Sequence, residues 1–117
     1  MRVAGIGCRA NAPSATVRRL LSDAAPVDLV AGLLTRTGQV QPAAASLGLR
    51  FFAVDEGDLQ GTVTPTVSPR VGARFGTGSV AEATALIAAG RNARIVEVRR
   101  VSPDATATIA IAEGEGP

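Results

Sequence analysis

Arg2-Val3-Ala4-Gly5-Ile6-Gly7-Cys8-Arg9-Ala10 runs from a short strand through a glycine-bearing turn into a helix start. Val3 to Ile6 is an apolar run of the kind a strand shows when both its faces are covered, and Gly7-Cys8-Arg9 forms the turn. Asn11 is placed to cap the following helix, with Pro13 in its first turn. Val17, Leu20, Leu21 and Ala24 then share one face at helical spacing, while Arg18, Arg19 and Asp23 face water. Pro26 ends the helix.

The same alternation continues outward. Leu29 to Leu34 is an unbroken apolar run bounded by Asp28 and by Thr35-Arg36-Thr37-Gly38, the pattern of a central strand. A short helix is expected over Pro42 to Leu47, closed by Gly48 as its C′ residue. Leu49 to Val54 reads as a third strand leading into the acidic turn Asp55-Glu56-Gly57-Asp58. From Gly61 to Gly78 the chain holds four glycines and two prolines, Pro65 and Pro69, and is read as one long irregular loop. Loops of that length in compact domains usually carry function.

Ser79-Val80-Ala81-Glu82 matches a capping box, with Ser79 capping the Glu82 amide and Glu82 returning to the Ser79 amide. The helix it opens runs through Ala83, Leu86 and Ile87 to Gly90. Residues 93–101 and 105–112 alternate in the strand period and flank Ser102-Pro103-Asp104, which makes them a hairpin. The expected fold is a three-layer α/β/α sandwich with a mixed, mostly parallel sheet of about five strands and a C-terminal β-hairpin. Residues 1–112 form one domain in this reading and 113–117 a flexible tail.

Composition narrows the chemistry. Of 117 residues 46% are apolar, yet 22 are alanine, three are Phe, and Trp, Tyr and His are absent. The core therefore depends on Val, Leu, Ile and closely packed alanine. Without histidine the chain cannot build a Ser-His-Asp or Cys-His nucleophilic machine, and it lacks the commonest neutral metal ligand. One cysteine excludes an intrachain disulfide and a thiolate zinc site, so neither a metal nor a cofactor is expected. No signal-like or 18-residue apolar segment is present, and a cytoplasmic protein without a membrane span is the expectation.

All twelve basic residues are arginine against ten acidic residues, a formal charge of +2. Codon usage in a GC-rich genome accounts for arginine and alanine together. The chemical consequence stands regardless: arginine presents a planar fork that matches carboxylates and phosphates, which lysine does not. Nucleic-acid binding is disfavoured, because the arginines are scattered and no aromatic residues lie among them for bases to stack on.

Gly5-Ile6-Gly7-Cys8-Arg9-Ala10 fits the weaker G-x-G-x-x-A form of the dinucleotide fingerprint. The acidic residue that would hold a ribose at the end of strand two is absent, since Thr35-Arg36 stands there. What remains is an anion site: glycines that let backbone approach a ligand, amides at a helix start, and the Arg9 fork. Cys8 reads as a small half-buried residue of that turn. Ser68, Arg70, Gly78 and Ser79 add hydroxyls, an arginine and a second helix start, which open α/β sheets bring to the carboxyl edge of the strands.

Gly5 to Arg9, Ser68-Pro69-Arg70-Val71, Gly78 to Ala83 with the helix end Ala89-Gly90, and Thr106 to Ile111 together resemble the cobalamin-biosynthesis CobE / CbiG C-terminal family over roughly residues 2–112. Where that family usually carries an acidic residue and a lysine after strand two and a lysine near the last hairpin, this chain has Thr35-Arg36-Thr37 and Arg99-Arg100.

The resemblance implies a role in corrin-ring synthesis. In two-domain relatives the activity is hydrolysis of cobalt-precorrin-5A, opening the ring-A lactone with release of acetaldehyde; for a stand-alone chain the resemblance implies binding or carrying a tetrapyrrole intermediate. The expected ligand is thus a precorrin or corrinoid polycarboxylate, held by Gly5, Gly7, Cys8, Arg9, Thr35, Arg36, Ser68, Arg70, Gly78, Ser79 and Glu82. No catalytic residue is assigned; Glu82 and Asp55 are the acids this chain offers as a general base. Expected partners are corrin-pathway enzymes or a CbiG N-terminal-like domain. A third reading makes Arg36, Arg50, Arg70 and Arg74 a docking surface of a non-catalytic interaction module.

Overall fold

In the computed structural model, which describes residues 1–24 and 26–117, five strands form one sheet in the order β3-β2-β1-β5-β4. They are β1 (Arg2–Cys8), β2 (Leu29–Leu33), β3 (Phe51–Val54), β4 (Arg94–Val101) and β5 (Ala107–Glu113); the helices are α1 (Ser14–Asp23), α2 (Thr37–Ser46), α3 (Pro69–Phe75) and α4 (Val80–Ala89). β1, β2 and β3 pair in parallel, while β5 runs antiparallel to both β1 and β4. Four strands thus share one direction and β5 alone opposes them, the mixed sheet and hairpin expected from the sequence.

Alternation along β1 makes the two layers. Ala4 and Ile6 join Val17, Leu20 and Leu21 of α1 and Val40, Ala43 and Ala44 of α2 in one core cluster. Val3 joins Ala85, Ala88 and Ala89 of α4 in another. Burying each branched aliphatic side chain contributes ~1.5–3 kcal/mol. The alanine face of α4 lets that helix lie directly on the strand: a Cβ on Gly5 would stand 2.0 Å from the Ala81 carbonyl oxygen. Gly5 therefore serves helix-on-sheet packing.

Several local expectations are corrected. β1 extends to Cys8, so Gly7 and Cys8 are ladder residues rather than turn residues. Pro13, not Asn11, occupies the N-cap of α1, without a side-chain cap. α2 begins at Thr37, reached through a 3-10 turn over Leu34–Arg36, and contains Pro42. That proline is tolerated because it and Gly38, whose carbonyl loses its partner, are both exposed to water.

The irregular loop expected between Gly61 and Gly78 contains α3. Ser68 caps it by accepting from the Val71 amide at 3.5 Å, Pro69 occupies the first turn, and Gly76 closes it in the left-handed conformation at φ 69°. Counting glycine and proline as loop markers hid a Ser-Pro start and a glycine stop. Residues 114–116, expected as part of a flexible tail, carry hydrogen bonds: the Gly114 amide to the Met1 carbonyl, Glu115 to Arg91 and Gly116 to Ala89. No helix among the described residues is long and apolar enough to cross a membrane.

Candidate ligand-binding site

The carboxyl ends of β1 and β2, the start of β5, Arg99 of β4 and one face of α3 enclose an open cleft of about 560 Å³. Its floor is apolar, with Leu33, Val71, Phe75, Val80 and Ala107. Five arginines line it: Arg9, Arg36, Arg70, Arg74 and Arg99. No acidic side chain lines it among the described residues, and the ion pairs among those residues engage Arg2, Arg19 and Arg94 instead.

Each arginine arrives by a local rule. The 3-10 turn after β2 swings Arg36 back over β1, where its Nε donates to the Cys8 carbonyl at 3.0 Å. Arg70 and Arg74 are one helical turn apart on α3 and share a face. The Arg74 guanidinium lies 4.9 Å from the centroid of the Phe75 ring, a cation–π contact that holds it over the floor. Clustered guanidiniums without counter-charges repel one another, so an anion entering the cleft relieves that repulsion and forms charge-assisted forks.

Of the residues expected to bind ligand, Gly7, Cys8, Arg9, Arg36, Ser68 and Arg70 line this cleft. Gly5 lies beneath α4, and Thr35 is exposed outside the cleft, its carbonyl accepting from Arg36 Nη1 at 3.4 Å. Gly78 is pressed against the Thr66 carbonyl, where a Cβ would stand 2.2 Å away. Ser79 is buried and caps α4 by accepting from the Glu82 amide at 3.2 Å.

Glu82 departs most from expectation. Its side chain is 0% exposed, does not return to the Ser79 amide, and accepts instead from Thr66 and Arg99. Enclosed in that way it cannot reach a water in the cleft, which removes it as a general base. Asp55 is exposed and does not line the cleft either. Burial pushes the Cys8 thiol above its ordinary value, and the Arg36 charge offsets this only in part. Cys8 is therefore protonated and unreactive near neutrality.

Arg74, Arg99 and Phe75 complete the cleft but were not singled out from sequence as ligand-binding residues. The signal for the first was the four-residue spacing from Arg70 after Ser68-Pro69, which becomes visible once a helix is recognised there. Arg99 has no signal beyond standing where the family carries a lysine near the last hairpin, and it reaches the cleft only because β4 pairs with β5. Among the described residues no group of three His, Cys, Asp or Glu could hold a metal ion.

The family model described as cobalamin synthesis G C-terminus matches residues 2–112. Among solved structures, the cobalamin biosynthesis protein chiG from Agrobacterium tumefaciens str. C58 is 33% identical, with a TM-score of 0.68 over 98% of this chain and 99% of that one. CobE, a protein from the cobalamin biosynthetic pathway, superposes with a TM-score of 0.79 at 23% identity over 100% of this chain and 92% of its own. A putative cobalamin biosynthesis protein G homolog from Sulfolobus solfataricus gives 0.74 at 23% identity, and there this fold accounts for 37% of the longer chain. No curated protein matches the sequence. With a family model spanning nearly the whole sequence and a full-length relative one-third identical, the chain belongs to the CbiG C-terminal family and is a cobalamin biosynthesis protein of the CbiG/CobE type.

Proposed function

We propose that the chain binds a polycarboxylate tetrapyrrole intermediate of corrin-ring synthesis, in the cytoplasm, in the cleft between α3 and the carboxyl edge of the sheet. One observation carries the reading: five arginines converge over an apolar floor with no lining carboxylate among the described residues. A corrin precursor has the complementary anatomy, a broad apolar ring edged by acetate and propionate groups. The floor takes the ring face, and each guanidinium–carboxylate hydrogen bond contributes ~1.5–3 kcal/mol. Titrating the purified protein with hydrogenobyrinic acid should shift the pigment's absorbance and saturate; an unchanged spectrum at protein excess refutes the proposal.

A second reading, cobalt-precorrin-5A hydrolysis, is favoured by the Sulfolobus relative, in which this fold occupies only part of a longer chain. Lactone opening needs a base to activate water. Glu82 is sealed away, so in this reading the base comes from a separate N-terminal-like domain. Acetaldehyde released from cobalt-precorrin-5A only when both polypeptides are present supports it, and no release from the pair rejects it.

A further inference from the structure

We infer that Glu82 positions the arginines of the cleft, joining through one buried carboxylate the strand that carries Arg99 to the segment that leads into α3, the helix that carries Arg70 and Arg74. The inference rests on the cleft being the binding site.

Both carboxylate oxygens are used, and every partner is a donor. The Thr66 amide donates to Oε1 at 2.8 Å, while the Thr66 hydroxyl and the Arg99 amide both donate to Oε2 at 2.7 Å. No arginine side chain pairs with Glu82 among the described residues. A fully buried carboxylate is costly, and here it is stabilised by those three donors and by its place in the first turn of α4.

The Arg99 amide is available because β4 is irregular at that point. Glu97 pairs with Ile111 and Arg100 with Ile109, so Val98 and Arg99 together oppose the single residue Ala110. A bulge of this kind leaves an amide out of the ladder and re-aims a side chain. Glu82 accepts the displaced amide, and the Arg99 side chain turns into the cleft. On the other side Thr66 lies two residues before the α3 cap, Ser68, whose own amide is fixed to the Gly78 carbonyl at 2.9 Å. Two walls of the cleft thus meet at one side chain of α4.

Glu82→Gln tests this, because a carboxamide offers one acceptor where three donors converge. Whichever way it turns, its NH2 group faces either the Thr66 or the Arg99 amide, and that link is lost. In the ligand-free full chain, amide hydrogen exchange at Arg99 and through residues 70–75 should accelerate about tenfold or more, with α2 unchanged. Affinity for hydrogenobyrinic acid should fall about tenfold. Leu21→Ala, which loosens α1 on the opposite face of the sheet, should lower the melting temperature while leaving that affinity intact. Thr66→Val, which removes only the hydroxyl link, serves if Glu82→Gln does not fold, and should accelerate exchange in α3 by a smaller factor. Unaltered α3 exchange in the folded variants overturns the inference, as does wild-type affinity despite faster exchange or an equal affinity loss in Leu21→Ala. If wild-type protein fails to bind hydrogenobyrinic acid, the cleft reading falls, whereas the exchange arm still decides whether Glu82 fixes α3 and Arg99.

Discussion

Arg36 Nε donates to the carbonyl of Cys8 at 3.0 Å, fastening the turn after β2 to the last residue of β1. The bond fixes the plane of the guanidinium at the mouth of the cleft; Nη1 also donates to the Thr35 carbonyl at 3.4 Å, and Nη2 makes no bond among the described residues and is left to a ligand. Arg36→Lys keeps the charge but has no second nitrogen with which to hold the Cys8 carbonyl and fork a carboxylate at once. Its affinity for hydrogenobyrinic acid should fall about tenfold, one charge-assisted hydrogen bond's worth, while its urea midpoint stays near wild type. Absorbance titration and urea unfolding of the same preparation measure both.

Charge, rather than shape alone, should decide which ring the cleft accepts. Replacing two peripheral carboxylates by carboxamides, as in the a,c-diamide of hydrogenobyrinic acid, leaves the ring outline almost unchanged but deprives arginines of anionic partners. The diamide should bind at least about tenfold more weakly, and raising the salt concentration should weaken the free acid more than the diamide. Equal affinities for the two pigments would mean that the arginines do not read charge.

Gly5→Ala should be among the most damaging single-methyl additions in the chain. The new Cβ would stand 2.0 Å from the Ala81 carbonyl and 2.7 Å from the Ala85 amide, both backbone atoms of α4 that cannot step aside without moving the helix off the sheet. Overpacking of this sort costs ~1–3 kcal/mol and more when backbone must move, a large share of the ~5–15 kcal/mol that holds a small domain folded. Gly57→Ala, where nothing lies within 4 Å of the new methyl, should stay within ~0.5 kcal/mol of wild type. Urea midpoints of the two variants make the comparison.

Cys8 should alkylate slowly at neutral pH. Burial raises its thiol above the ordinary range and the nearby Arg36 charge opposes this, so the rate of reaction with iodoacetamide should rise only at a pH above that of free cysteine. Replacing Arg36 with Ala removes the opposing charge and should move the midpoint higher still. A midpoint below that of free cysteine would contradict the desolvated environment.

The layers of the fold were legible because hydrophobic period is a local property: the Leu29–Leu34 run and the Val17-Leu20-Leu21 face each declare themselves within one window. α3 was not, since its Pro69 and flanking glycines are loop markers unless Ser68 and Gly76 are recognised as its start and stop. In the candidate site the forks of Arg9 and Arg36 were legible from their places just after β1 and β2. The role of Gly5 was not, because its partner is a helix 76 residues away that comes down onto β1 only in the folded chain. Glu82 shows the same limit: Ser79-x-x-Glu82 predicts the Ser79 cap correctly, but the bulged amide of Arg99 competes for the carboxylate, and no local rule contains it.

Asp104 links pH to the hairpin. Hydrogen bonds from the hydroxyls of Thr16, Ser102 and Thr106 and from the Thr106 amide hold its carboxyl well below the usual range, and the bond to Thr16 ties the turn to α1. A folded-state value below the unfolded one means that its contribution is fully present above the unfolded pKa, ~4, and is lost as pH falls toward the folded value. Asp104→Asn, which keeps the shape and removes the charge, should therefore differ most from wild type in urea midpoint above pH ~5 and converge with it as the pH drops below ~4. A gap that persists undiminished into acid would show that the side chain acts through its shape rather than its ionisation.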